Sequence, residues 1–261
     1  YRIKHQHRID RSQYLSDQTA YDNAIDQVNR KSGGQFINLI TMQNHYPYDK
    51  NYYNSRGFSV SGRAVADADA KASAEDFATG VSYTDQYLKA FIKKLNQIKK
   101  PITLVWYGDH LPGIYSGDSM SKFGLLLHQT DYFIYSNKYA RQHGMGISKN
   151  QSSKTNYVDP SDFIAMSLEQ SNSKVSAYNA LLTKIHQDLP AITVNSFNNG
   201  TNSYNSNAEF VNSHGNVVAY NSLSAKQKEL YHDYQLVQYD ITAGKQYLAK
   251  SSFMTKIKSQ R

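Results

Sequence analysis

The sequence predicts an α/β fold in which a mostly parallel sheet is sandwiched by helices. Three observations predict it. First, Pro101-Ile-Thr-Leu-Val-Trp-Tyr-Gly-Asp-His-Leu-Pro-Gly113 opens on Ile102, Leu104, Val105 and Trp106, the near-continuous apolar run of a strand covered on both faces. Second, Gln35-Phe-Ile-Asn-Leu-Ile-Thr-Met42 is apolar and partly β-branched, and it reads as another buried strand. Third, between them Phe77, Val81, Leu88, Phe91, Ile92, Leu95 and Ile98 recur mostly at three- and four-residue steps, a helix over about Ser73 to Lys99 laid on a sheet. Strand, helix, strand is a βαβ unit with a right-handed crossover, which would set Met42 to His45 and Tyr107 to His110 at one edge of a parallel sheet.

Composition bounds the rest. A chain of 261 residues with 39% hydrophobic content can bury one large core, or one domain plus a small appendage. The absence of cysteine excludes thiol catalysis, disulfides and Cys-ligated zinc. A formal charge of +8 suits an anionic partner. The basic residues are scattered, without an Arg-rich run or a known nucleic-acid signature, so nucleic acid is disfavoured as that partner. No signal peptide and no apolar run near the ~20 residues of a bilayer span is present. The polar opening Tyr1-Arg-Ile-Lys-His-Gln-His-Arg8 lacks an initiator Met, and the expectation is a piece cut from a longer polypeptide.

In chain order, the first helix is expected from Asp17 to Arg30. Ser16 or Asp17 can cap it, Tyr21, Ala24, Ile25 and Val28 share a face, and Lys31-Ser-Gly-Gly34 closes it. His45 follows the strand at 35–42, and a loop histidine that only hydrogen-bonds is the alternative to a functional one. Residues 49–72 form a long polar connection. Pro101 stops the second helix, and Gly108 is expected to let the chain turn tightly after the strand. Asp109 and His110 would then lie at the carboxyl edge of the sheet, where open α/β sheets place ligands. One hard oxygen and one imidazole nitrogen suit Zn²⁺ or Mn²⁺.

Further on, Leu125 to His128 reads as a short extended piece and Asp131 to Ser136 as a third strand, with His128 ranked behind His45 as a site residue. After a polar connection at 138–158, a capped helix opens at Asp159-Pro160 and another spans about Ser173 to Gln187. Asn/Ser-rich residues 193–209 read as a linker. Asn216 to Tyr220 is an expected edge strand, and a helix with Leu230, Tyr234, Val237 and Ile241 on its apolar face runs from Ser224 to about Leu248. The expected division is a domain at 1–192, a linker at 193–209 and an appendage at 210–261.

Thr41-Met-Gln-Asn-His-Tyr-Pro-Tyr48 followed by Tyr107-Gly-Asp-His-Leu-Pro-Gly113 resembles the lipoteichoic acid synthase group of phosphoglycerol transferases, in the sulfatase and alkaline phosphatase superfamily. The helix between the motifs and the region Leu15 to Tyr21 match as well, and Gln238 to Tyr247 is similar to the C-terminal segment of lactic-acid-bacterial members. The resemblance implies an alkaline phosphatase-like fold, here partial. It implies that Asp109 and His110 bind a catalytic divalent cation, Mn²⁺ or else Mg²⁺ or Zn²⁺. It implies that His45 binds substrate phosphate or protonates a leaving group, with Asn44 beside it in substrate binding.

The family's threonine nucleophile and a further glutamate ligand have no match in this chain. The resemblance therefore implies the C-terminal half of a catalytic domain, inactive alone and completed by an N-terminal half and a membrane anchor. It would act at the extracellular face of a Gram-positive cell membrane. The implied donor is phosphatidylglycerol and the implied product a lipoteichoic acid-type polyglycerol phosphate. Two alternatives stay open: another superfamily phosphodiesterase or phosphoethanolamine transferase, and a non-catalytic module that binds cell-wall polymer, for which the 22 tyrosines would supply flat contact surfaces.

Overall fold

A computed structural model describes residues 3–30, 32–48, 52–55, 57–62, 65, 67–115, 118, 120–146, 157–194 and 208–255. The chain divides into two compact units. The first comprises Tyr1–Lys99, Asp109–Asp118 and Leu127–Gln129; the second comprises Lys100–Gly108, Ser119–Leu126 and Thr130–Arg261.

The first unit is built on two helices. Helix α1 (Asp17–Arg30) has an acid in its first turn and a base in its last, both favourable to the helix dipole. Helix α2 (Ala68–Leu95) begins earlier than the apolar spacing predicts, because the Asp67 carboxylate accepts from Ala70 N at 2.9 Å and caps it. The helices pack through Tyr21 of α1 stacked on Phe91 of α2, with ring centroids 4.5 Å apart, and an ion pair from Lys94 to Asp22 at 2.5 Å crosses the rim. The N-terminal segment is stitched to α1 by polar contacts. Asn23 Oδ1 accepts from Lys4 N at 2.9 Å, and Thr19 Oγ1 accepts from His7 N at 2.8 Å.

Residues 35–42 depart from expectation. They are extended but belong to no strand ladder among the described residues, and Phe36 and Ile40 are 95% and 75% exposed. An apolar run marks a segment suited to a sheet, but a ladder also needs a neighbour to take its backbone groups. The expected βαβ unit is therefore not formed among the described residues.

In the second unit, β1 (Thr103–Tyr107) pairs antiparallel with β2 (Tyr132–Ser136), Thr103 opposite Ser136 and Tyr107 opposite Tyr132. All described strand pairs are antiparallel, which corrects the expectation of a mostly parallel sheet. Apolar content reports burial and says nothing of strand direction. Gly108 follows β1, and a Cβ there would lie 3.2 Å from Thr130 Cβ. Close approach, with Thr130 Oγ1 donating to Gly108 O at 2.6 Å, explains this glycine better than a tight turn. Helix α3 (Met120–Leu127) replaces the extended piece expected at 125–128, since a short apolar run fits helix and strand equally.

Asn137, fully buried, ends β2 and caps α4 (Lys138–Gln142). Its Oδ1 accepts from Ile102 N and Ala140 N, and its Nδ2 donates to Lys100 O at 3.0 Å. Helix α5 (Asp162–Gln170) packs on α6 (Ala177–Asp188). A second sheet follows, in the order β3 (Ala191–Val194), β4 (Ala208–Val211), β5 (Val217–Val218). Residues 195–207 of the expected linker lie outside the described residues, while its flanks pair with each other as β3 and β4. Helix α7 (Ala225–Thr242) opens with a capping box between Ser224 and Gln227. It stops before Leu248 because the Asp240 carboxylate accepts from Tyr247 N and Leu248 N in a turn. No described helix is long and apolar enough to cross a membrane.

Candidate active site

The loop carrying His45 is held from beneath by a buried polar network in the first unit. Gln43 Oε1 accepts from Asp17 N at 3.0 Å, and Gln43 Nε2 donates to Gly80 O and to Thr84 Oγ1, both at 3.0 Å. Asn44 Nδ2 donates to the same Thr84 oxygen at 2.8 Å, while Thr84 donates its own proton to Asp17 Oδ2 at 2.6 Å. A hydroxyl has one proton and two lone pairs, so Thr84 is saturated by these partners. Burial raises the Asp17 pKa, and the Thr84 and Thr41 hydroxyls only partly offset it. Gly80 is required here by close approach: a Cβ would meet Asn44 Oδ1 at 2.4 Å.

His45 itself is exposed above this network. Its Nδ1 lies 2.6 Å from Tyr46 O and 3.2 Å from the Tyr14 hydroxyl, and Tyr14 in turn donates to Tyr46 O at 2.5 Å. A carbonyl only accepts, so this network assigns the proton to Nδ1 and leaves Nε2 open. Asn44 faces α2 through its contacts with Thr84 and Gly80, and it orders the loop from below.

Asp109 and His110 follow β1 in an exposed loop of the first unit, 80% and 71% accessible. His110 Nδ1 is 2.8 Å from Leu111 O, which fixes the same tautomer as in His45. His110 Nε2 then lies 3.6 Å from Asp109 Oδ2. Tetrahedral ligands roughly 2.0–2.2 Å from one cation sit about 3.3–3.6 Å apart, so the pair stands at the upper edge of the spacing of neighbouring donors to a divalent ion. Backbone anchoring of the other ring nitrogen is the usual support for a ligating histidine. Two donors fit part of a site, and among the described residues no group of three or more His, Asp or Glu is placed to hold a metal.

The two loops are tied together by aromatic residues. The Tyr48 phenol hydrogen-bonds the Gly113 backbone; burial raises its pKa, the Gly113 bond partly offsets this, and the charges of Tyr14 and Asp109 add to the rise. A methyl group on Gly113 would lie 4.0 Å from the Tyr46 ring. Tyr48 also packs edge-on against Tyr46 and Phe77. His128 directly follows α3 and is exposed. Sequence reasoning missed Tyr14, Gln43, Thr84 and Tyr48. Thr84 leaves a signal: it lies two turns from both Phe77 and Phe91, a polar residue in an apolar stripe.

Comparison with known proteins identifies the family. The family model for sulfatase matches residues 2–173, most of the chain. The chain belongs to the sulfatase family. A solved structure, Streptococcus pyogenes phosphoglycerol transferase GacH in complex with sn-glycerol-1-phosphate, superposes with a TM-score of 0.73 at 31% sequence identity, covering 98% of this chain and 56% of that one. A Rhizobium meliloti (strain 1021) protein, provisionally named a cyclic beta-1,2-glucan modification protein, is 22% identical over 255 residues, covering 92% of this chain and 36% of the relative. The chain thus spans about half of the solved transferase and about a third of the curated relative. Its fold class is that of the sulfatase and alkaline phosphatase group, as a partial α/β domain of mixed helices and few strands.

Proposed function

We propose that this chain is the C-terminal half of the catalytic domain of a divalent-metal-dependent phosphoglycerol transferase. The observation that carries the reading is the joining of the His45 loop to the Asp109-His110 loop through Tyr46, Tyr48 and Gly113. Similarity to a phosphoglycerol transferase bound to sn-glycerol-1-phosphate supports it. Asp109 Oδ2 and His110 Nε2 would hold the cation, Mn²⁺ in the first instance and Mg²⁺ or Zn²⁺ otherwise, with further ligands from polypeptide outside this chain. Such an ion, when bound, supplies charge neutralisation at phosphoryl oxygens and activation of a hydroxyl.

The remaining roles fall to side chains already placed. His45, with Nδ1 committed to Tyr46 O, directs Nε2 outward, where a protonated ring donates to a phosphoryl oxygen or to the departing alcohol. Tyr14 and the Thr84 network hold the ring and its loop in register, and Asn44 sets the loop height above α2. In this reading the nucleophile is a threonine outside the chain, which displaces diacylglycerol from phosphatidylglycerol before an acceptor hydroxyl takes the glycerophosphoryl group. The formal charge of +8 favours an anionic lipid donor. The product would be lipoteichoic acid-type polyglycerol phosphate at the outer face of a Gram-positive membrane. A second acceptor, a saccharide hydroxyl, is favoured by the glucan-modifying name of the Rhizobium relative.

The test is turnover of labelled phosphatidylglycerol by the complete enzyme, with metal content measured on the same samples. His45→Ala should lower turnover by roughly 10²–10⁴-fold and leave bound metal intact, whereas Asp109→Asn should lose both. Metal loss in His45→Ala would make His45 a ligand and overturn its assignment. The 261-residue chain alone should show no turnover, and measurable turnover would refute the half-domain reading.

A further inference from the structure

A cleft of about 270 Å³ opens within the second unit, between the start of α5, the end of α6, strands β3 and β4, and α7. Its lining includes Asp159, Asp162, His186 and Tyr234 together with Leu182, Ile185 and Ile192. The His186 side chain is 6% exposed. Among the described residues its ring nitrogens have no hydrogen-bond partner, since the Asp162 carboxylate stands off at 3.8 Å. The imidazole lines the cleft, where a ligand donor or acceptor could meet it. Asp162 accepts from Asp159 N at 3.0 Å through one oxygen, which leaves most of its lone pairs open.

The lining selects the occupant. Among the described residues no Lys or Arg lines the cleft, which disfavours a phosphate or other anion. No triad of metal-ligating residues is formed among the described residues, which disfavours a bare cation. Carboxylates that accept, an imidazole that does either, and aliphatic walls beside them suit an uncharged ring with alternating hydroxyl and C–H surfaces. The volume lies just under the ~300–1,000 Å³ of small-molecule pockets, room for one ring and not for a chain. We propose that this cleft binds a single neutral sugar residue. It deepens the saccharide-acceptor reading above and rests on that reading only for its purpose, because binding is measurable without transfer.

The experiment is methyl NMR of the intact 261-residue chain titrated with D-glucose, L-rhamnose, N-acetylglucosamine, D-glucosamine and sn-glycerol-1-phosphate. At least one neutral sugar should shift the Ile185 and Ile192 methyls with millimolar affinity, while sn-glycerol-1-phosphate should leave them unmoved. Asp162→Asn, nearly isosteric, should weaken that sugar by roughly tenfold or more. Ile192→Phe, which fills the cleft and retains its polar groups, should abolish binding even if Asp162→Asn fails to fold. No shift with any neutral sugar at roughly 50 mM, binding unaffected by Ile192→Phe, or tighter binding of glucosamine or glycerol phosphate would overturn the proposal. Sugar binding to this chain together with a transfer-dead complete enzyme would sink the transferase reading alone.

Discussion

The two units bury different chemistry. In the first, the described buried side chains are mostly polar, with Ser16, Asp17, Thr19, Asn23, Gln43 and Thr84 around a small aromatic stack of Tyr21 and Phe91. In the second, buried Ala165, Met166, Ile185, Leu189, Phe210 and Val211 form an apolar interior, and Asn137 with Ser136 and Gln170 makes a local polar exception. Apolar burial is non-directional and tolerates small shifts, whereas a hydrogen bond weakens steeply with geometry. The unit that presents His45, Asp109 and His110 is accordingly held by directional contacts. This arrangement fixes a loop position at the cost of a narrow tolerance for substitution.

The sharpest way to break this contrast is to remove the largest fully buried apolar side chain among the described residues. Phe210 is fully buried and meets Tyr231 edge-on at 5.2 Å. Phe210→Ala should cost about 3–5 kcal/mol, read as lost hydrogen-exchange protection in β3, β4 and α7. Protection of α1 and α2 should persist; its equal loss would show that the two interiors melt as one. Next in size, Thr84→Val should cost about 2–3 kcal/mol, because two amide donors and a carboxylate lose their shared partner. Thr84→Ser should recover most of that loss. An equal loss in Thr84→Ser would make Thr84 a packing residue and not a hydrogen-bonding hub.

A smaller effect tests the same network by pH. The folded pKa of Asp17 is raised above the ordinary value of 3.8, chiefly by burial. The folded chain therefore holds this proton more tightly than the unfolded chain does. Stability from this group is greatest below 3.8, falls as pH rises through the raised folded value, and levels off above it. Asp17→Asn keeps an acceptor for Thr84 and removes the titration, so thermal unfolding followed across that window should lose this descending part. An unchanged profile would mean that the buried carboxyl is solvated well enough to titrate normally.

What the sequence discloses follows from which physics is local. Helix α1 is legible to both ends because its acid, its apolar spacing and the Lys31-Ser-Gly-Gly34 stop lie within a few residues of one another. The start of α2 is hidden because its cap, Asp67, sits in an otherwise polar connection. β1 and β2 are recognisable as strands, yet their antiparallel pairing is set by the chain between them, where α3 intervenes. The run at 35–42 shows the limit of composition: its residues suit a sheet, but a ladder needs partners that hydrophobicity does not name. Asp109, His110 and His45 stand out because short motifs carry them. Thr84 and Tyr14 do not, since a threonine or tyrosine reveals its partner only once the chain brings it close.

The smallest predicted change in stability separates positioning from folding. Tyr14 lies at the surface of the first unit, and its hydroxyl reaches both Tyr46 O and His45 Nδ1. Tyr14→Phe keeps the ring that packs against the His45 imidazole at 5.6 Å and deletes only the oxygen. An exposed hydroxyl contributes little to folding, so the unfolding free energy should move by under about 0.5 kcal/mol. The imidazole still has Tyr46 O for Nδ1, so its tautomer should persist while its orientation loosens. In the complete enzyme, turnover should then fall by roughly tenfold with the metal content unchanged. A proportionate loss of stability and turnover would assign Tyr14 to the fold, while full turnover would show that Tyr46 O alone orients His45.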